Sequence, residues 1–242
     1  MAVSVANDDV FPSQILGNPD GEVLVLLAGF PDDLNTGFAP LLDDLAKDYF
    51  IINLCMPGLE HRTKRRRWGY DFDRLLEMMD NTIKRLAGER LVSLVIHDWG
   101  ALIGMLYENQ YPTRVKRLVV MDVGILHFPD LRYVFHILLY QVTFAISYMV
   151  SQLVCLRAGN VLFKGFLALC YVCKPLLAPT PHDVIHRPFH HLHVEMCYPY
   201  FYLYMHYVCG RLIMPTFPTA PVLFLVSVIL CSAGWYYVML ES

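Results

Sequence analysis

Charge is what this sequence has least of. Only 17% of the residues are charged, and 19 basic against 22 acidic side chains leave a formal net charge of −3. A nucleic-acid binder needs a basic footprint, so no phosphate backbone is expected as a partner. The scarcity of charge accompanies 56% hydrophobic residues, which excludes a mainly disordered chain, because ample apolar surface is there to bury. A chain of 242 residues suits one large domain, or a core plus an insertion, and removes about 70–75% of its unfolded surface from water on folding.

A disulfide framework is missing as well. The seven cysteines, Cys55, Cys155, Cys170, Cys173, Cys197, Cys209 and Cys231, are odd in number and sit in apolar stretches rather than at turn-rich spacings. That is the usage of reduced, mostly buried thiols in an intracellular, cytoplasmic protein. Cys170 and Cys173 form a CxxC, but with no second pair they read as core residues. The N-terminus lacks the basic start and apolar run of a signal peptide and carries Asp8 and Asp9 instead, so secretion is not expected.

What is present divides unevenly. In the first half, Glu22 to Phe30 (EVLVLLAGF) is a continuous apolar run between the turn GNPDG and Pro31, the pattern of a strand buried on both faces in a parallel sheet. Phe50 to Met56, ended by Pro57-Gly58, Leu91 to His97 and Val115 to Val123 repeat it. Between them, Phe38, Leu41, Leu42 and Leu45 recur at helical spacing, and Phe72, Leu75, Leu76, Met79, Ile83 and Leu86 do so after Asp71, a candidate N-cap. A third helix, Trp99 to Gln110, follows His97 almost without a loop. Such alternation predicts a mostly parallel α/β sheet with right-handed crossovers.

The second half is nearly charge-free. Tyr133 to Leu156, 24 residues, and Pro221 to Leu240, 20 residues, contain no Asp, Glu, Lys or Arg. Both reach the length of a bilayer span, so they are read either as membrane segments, the second making a tail anchor, or as helices of an aromatic-rich cap (133–218) and a partial return to the core (219–242).

Ile96-His97-Asp98-Trp99-Gly100-Ala101 is the most informative stretch. A strand runs into a helix with an acid at the corner and small residues behind it, the layout of a nucleophile elbow; Asp98 taken alone also reads as an N-capping acid. Ile96 is not the small residue such an elbow usually has before its nucleophile. With GNPDG before the first long strand, Gly29-Phe30-Pro31 after it, Pro57-Gly58 after the next, and Tyr111-Pro112 and Arg117-Leu118-Val119 beyond the elbow helix, residues 15–130 resemble the α/β-hydrolase superfamily, in the branch of epoxide hydrolases and haloalkane dehalogenases.

The resemblance implies a hydrolase-type core with a helical cap, no cofactor, and a small apolar electrophile as substrate. It implies Asp98 as nucleophile, forming an ester that a histidine-activated water then hydrolyses. Backbone N–H groups of Phe30 and Trp99 form the oxyanion hole, the Trp99 indole N–H donates to a leaving halide, and Asp122 is the candidate acid that orients the histidine. A cap tyrosine, from Tyr198, Tyr200, Tyr202 and Tyr204, would protonate an opening epoxide.

Two departures bear on activity. Ala28 stands where the family has a histidine before Gly-Phe-Pro, and no histidine follows His206, whereas the family's base follows its last core strand. The late strands are therefore read as incomplete, and a relative that lacks the base, through truncation or an altered ending, is the alternative to an active enzyme. His182, His186 and His190, spaced by four, align on a helix as metal ligands would, but Pro188 breaks that helix, and they are read as cap histidines. Arg62 to Arg67 (RTKRRR) is the one strong charge run, a solvated loop or a contact for an anionic membrane.

Overall fold

The computed structural model describes residues 2–4, 9–60, 66–121, 131–173, 189–230 and 233–240. Its strands are β1 (Ala2–Ser4), β2 (Ser13–Gly17), β3 (Glu22–Leu27), β4 (Tyr49–Leu54), β5 (Val92–His97), β6 (Val115–Met121), β7 (Val222–Leu230) and β8 (Ala233–Leu240). Its α-helices are α1 (Leu42–Leu45), α2 (Phe72–Ala87), α3 (Trp99–Gln110), α4 (Leu131–Leu153), α5 (Leu156–Cys173) and α6 (Tyr198–Val208).

The strands form one sheet in the order β1-β2-β4-β3-β5-β6-β7-β8. From β4 to β7 every neighbouring pair is parallel, as the buried apolar runs require. The four long runs of the sequence are β3 to β6. Short β2 was not visible as a run because it is polar and only five residues long; it pairs antiparallel with β4 at the edge.

The period of two decides which face each strand residue serves. Val23, Val25 and Leu27 join Ile52, Leu54, Leu94 and Ile96 in the main core, under α2 and α3. Leu24 and Leu26 point the other way and pack with Phe38, Leu42 and Ile51. α2 starts where Asp71 accepts the Arg74 N–H at 2.8 Å and buries Phe72, Leu75, Leu76, Met79 and Ile83, the stripe its spacing predicts.

Pro221 to Leu240 is not a membrane helix. Its residues form β7, parallel to β6, and β8, which folds back antiparallel on β7. β-branched and aromatic residues such as Val226, Val228, Tyr236 and Tyr237 favour strands, and a free parallel edge at β6 is there to receive them. Glu108 of α3 fixes the approach to β7: its Oε1 accepts the Thr219 N–H (2.9 Å), the Thr219 hydroxyl (2.6 Å) and the Ala220 N–H (3.0 Å). Tyr133 to Leu156 falls mostly in α4, and no helix among the described residues is long and apolar enough to cross a membrane. His136, Gln141, Ser147, Ser151 and Gln152 dilute the apolar run. Instead α4, α5 and α6 lie over the end of the sheet where β3 and β5 finish, bringing Phe144, Phe163 and Tyr200 into the main core.

Candidate functional site

One residue separates β5 from α3, and it is Asp98. The chain must reverse within that residue, so Asp98 adopts φ 53°, ψ −125°. It is the one non-glycine with positive φ among the described residues. A left-handed φ of this kind costs about 1–3 kcal/mol and persists only where the surroundings over-determine it. Here they do. The Asp98 N–H donates to the Met121 carbonyl (3.3 Å), while its own carbonyl accepts from Ala101 (2.9 Å) and Leu102 (3.3 Å) and so starts α3. Asp98 does not act as a side-chain N-cap, so that alternative falls.

The turn also demands close approach of α3 to the sheet. A side chain on Gly100 would collide with the Leu27 carbonyl. A Cβ on Gly104, one turn further, would lie 2.7 Å from both Cγ2 and Cδ1 of Ile96. This second contact explains how the elbow tolerates isoleucine two residues before Asp98: the room is taken from the helix rather than from the strand. Spacing from the acid is the one sequence signal that marks Gly104, which otherwise looks like an ordinary helical glycine.

The carboxylate points across the strand ends to the loop after β3. The Phe30 N–H donates to Asp98 Oδ2 at 2.7 Å, and the Trp99 N–H also bonds the carboxylate. A side chain on Gly29 would strike both this oxygen and the Trp99 nitrogen. The structure therefore brings together three of the four residues singled out by the sequence, Asp98, Phe30 and Trp99. Asp122 lies outside the described residues.

Burial pushes the Asp98 carboxyl above its ordinary range, with the charge of Asp32 adding; the Trp99 N–H, the charge of neighbouring His97 and the Phe30 N–H oppose this without cancelling it.

Phe30 and Trp99, whose N–H groups bond the carboxylate, also belong to an aromatic cluster. The Phe30 ring meets Phe144 of α4 at 5.6 Å, Phe163 of α5 at 6.3 Å and Tyr200 of α6 at 5.9 Å between centroids. Tyr200 stands edge-on to Trp99 at 4.8 Å. Its hydroxyl is pushed well above its ordinary pKa, first by burial, then by the negative charge of Asp98 and by Tyr140, against a hydrogen bond from the Trp99 side chain. Tyr200 is thus a neutral O–H donor within the electrostatic reach of Asp98.

The four alternating tyrosines of α6 separate because a two-residue step rotates a helix by about 200°. Tyr198 faces the core, where its hydroxyl donates to the Pro57 carbonyl at 2.9 Å. Tyr204 turns toward α4 and bonds Gln141 at 3.4 Å. Of the histidines between residues 182 and 206, His206 packs on Phe72, with 5.8 Å between centroids, and Phe72 stacks on Trp99. His190 and His191 pair with each other at 4.1 Å, and His182 and His186 lie outside the described residues. Among the described residues no group of three or more His, Cys, Asp or Glu side chains could hold a metal ion.

The family model described as alpha/beta hydrolase fold matches residues 22–144. Two curated relatives are cis-3-alkyl-4-alkyloxetan-2-one decarboxylases. That of Shewanella oneidensis is 34% identical over 73 residues, 30% of this chain and 23% of its own. That of Xanthomonas campestris pv. campestris is 25% identical over 119 residues, 47% of this chain and 40% of its own. The chain spans less than half the length of both. Among solved structures, an epoxide hydrolase of Bacillus megaterium bound to an inhibitor superposes with a TM-score of 0.64 at 18% identity, over 89% of this chain and 78% of that one. The epoxide hydrolase CorEH gives 0.63 at 16% identity, over 89% and 77%. Likeness at such identity is a likeness of fold.

Proposed function

Since the chain belongs to the alpha/beta hydrolase fold family, we propose that it is a hydrolase of small apolar electrophiles, of the epoxide or haloalkane type, working through a covalent ester on Asp98. One observation carries the reading: a strained aspartate at a strand–helix corner, its carboxylate held by the Phe30 N–H, with the buried hydroxyl of Tyr200 within its electrostatic reach.

With Oδ2 held by Phe30, Oδ1 is the attacking atom. In an epoxide it bonds to a ring carbon, the C–O bond of that carbon breaks with its electron pair on the ring oxygen, and the Tyr200 hydroxyl supplies the proton. In a haloalkane the halide leaves instead, accepting the Trp99 indole N–H in place of the Tyr200 hydroxyl. Water then adds to the ester carbonyl and gives its proton to the Tyr200 phenolate left by epoxide opening, or to solvent after halide loss. The adduct collapses by breaking the Cγ–Oδ1 bond, releasing the alcohol and restoring the carboxylate. Before that collapse, the charge that develops on Oδ2 is met by donors already in place, the N–H groups of Phe30 and Trp99. Preorganised donors of this kind cost no rearrangement during reaction.

The raised pKa of Asp98 fits a nucleophile rather than a spectator: a poorly solvated carboxylate is more reactive toward carbon than a hydrated one. Apolar rings of Phe30, Phe144 and Phe163 favour an apolar substrate, and strained oxygen rings suit both the epoxide hydrolase fold and the oxetanone chemistry named for the curated relatives. In this reading the partner is a small apolar molecule met inside the cell.

The test is intact-protein mass spectrometry after incubation with an aryl epoxide or a primary haloalkane. A one-to-one adduct on the wild-type protein, absent from Asp98→Ala, supports the assignment. An adduct that survives Asp98→Ala removes it.

A further inference from the structure

The cap carries a second feature that the chemistry does not use. Val142, Ile146, Met149 and Leu153 follow one another at helical spacing on the outer side of α4, and with Met205 and Val208 of α6 they are exposed. Most of them line a groove of about 230 Å³ whose walls are almost wholly apolar. The stripe runs into the α4–α5 turn, where Leu153 and Val154 are 68% and 72% exposed. Exposed apolar residues elsewhere, such as Leu41 and Leu91, stand singly, whereas a contiguous apolar surface of this kind marks an interaction site.

Charge says what covers it. From Leu131 to Cys173 and from Tyr198 to Arg211 there is no aspartate or glutamate, whereas Arg132, Arg157, Lys164 and Arg211 are present. The core instead mixes both signs, with carboxylates such as Asp44, Asp80, Glu89 and Glu22 paired with Lys47, Lys84, Arg114, Lys116 and Arg117. Arg157 is exposed one residue beyond Leu156, at the tip of the apolar turn. Exposed Arg66 and Arg67 end the basic run, and the Arg67 guanidinium donates to the Gln152 carbonyl at 3.4 Å, beside Leu153. The one strong charge run of the sequence thus ends at the apolar tip.

We propose that this face, the α4 stripe and the α4–α5 turn with Arg66, Arg67 and Arg157 around it, docks on an anionic lipid surface. The apolar residues enter the region between headgroups and acyl chains, and the arginines pair with lipid phosphates and carboxylates. The helices lie on the bilayer and do not cross it, in keeping with their length and hydropathy. A soluble protein partner would match the apolar stripe equally well, but α4, α5 and α6 carry no carboxylate of their own, half-buried Glu195 being the acid packed beside Tyr148, and the exposed Arg66, Arg67 and Arg157 at their tip give the complementarity of an anionic membrane. Docking would bring an enzyme for apolar molecules to where such molecules concentrate, although the surface stands on its own observations.

The test is co-sedimentation of the full chain with phosphatidylcholine vesicles containing about one third phosphatidylserine, against pure phosphatidylcholine, with circular dichroism to verify that each variant is folded. Binding to the anionic vesicles, reduced at least tenfold by Leu153→Asp with Val154→Asp and severalfold by Arg157→Ala or by high salt, is the expected result. Adduct formation at Asp98 should be unchanged in these variants. No binding to either vesicle, or binding that ignores the two aspartates, overturns the proposal. So does a stable dimer in sedimentation velocity that the same aspartates dissociate while vesicles bind nothing, since the face is then an interface between copies.

Discussion

The packing of Ile96 against Gly104 gives a prediction that reaches the logic of the elbow. In Gly104→Ala the new methyl would lie 2.7 Å from Cγ2 and Cδ1 of Ile96 and 3.4 Å from its Cβ. Ordinary carbon contacts are about 3.5–4.0 Å. Ile96 is wholly buried and stiff at χ1 because it is β-branched, so it cannot swing clear, and the strand and helix must part by a few tenths of an ångström. Overpacking of this order costs about 1–3 kcal/mol. Better helix propensity of alanine returns about 1 kcal/mol, leaving a modest net loss, about 1 kcal/mol on average and a few degrees in Tm at this chain length.

The informative comparison is the same change in an Ile96→Ala background. That single change opens a cavity and costs about 2–5 kcal/mol. With Cγ2 and Cδ1 gone, however, the methyl of Gly104→Ala has space, and it now stabilises by about 1 kcal/mol through propensity and partial filling of the cavity. The double-mutant cycle by chemical denaturation therefore shows a coupling of about 2 kcal/mol and a reversal of sign. If Gly104→Ala has the same effect in both backgrounds, the glycine is not what makes room for isoleucine, and the account of the elbow is wrong.

Other consequences can be checked separately. Tyr200→Phe should slow adduct formation from an epoxide by about 10²–10⁴ while leaving a haloalkane nearly unaffected, because only the epoxide oxygen needs a proton; stopped-flow kinetics with both substrates reads this directly, and equal losses would show that Tyr200 only shapes the site. Because the Asp98 pKa is raised by folding, its ionised form is penalised in the native state: the penalty is absent below the unfolded value near about 4 and sets in as pH rises through the folded one. Asp98→Asn should then melt higher than wild type at neutral pH and lose that advantage below about pH 4, as thermal melts across pH will show; the rate of alkylation in wild type should begin to fall at a pH above the ordinary carboxylate range. Glu108→Ala leaves the Thr219 and Ala220 N–H groups without their acceptor, costing about 3 kcal/mol, and hydrogen exchange should quicken first at those two amides.

Legibility followed how local the determinants were. β3, β4, β5 and β6 could be read because strands buried on both faces are continuous apolar runs bounded by turn residues, and Asp71 and the 3- and 4-residue spacing after it marked α2. Asp98, Phe30 and Trp99 were readable because the elbow and the loop after β3 are short contiguous motifs. Tyr200 was not singled out from its neighbours, since choosing among alternating tyrosines requires knowing which face of α6 meets Trp99. Gly104 was not readable either, because its partner Ile96 is eight residues away on another element. Pro221 to Leu240 was ambiguous for a different reason: a charge-free apolar stretch satisfies a bilayer and a sheet edge alike, and the edge offered by β6 is a property of the fold.

The central claim, that Asp98 is alkylated and its ester is cleaved at the carbonyl, is tested most directly with an epoxide in heavy-oxygen water, with enzyme in excess and the peptide containing Asp98 analysed by mass spectrometry. The account predicts that this peptide carries either the alkyl adduct or, after turnover, heavy oxygen in its carboxylate. Product formed with heavy oxygen in the diol alone, and an Asp98 peptide that never changes mass, would mean that water attacks the substrate directly and would contradict the account.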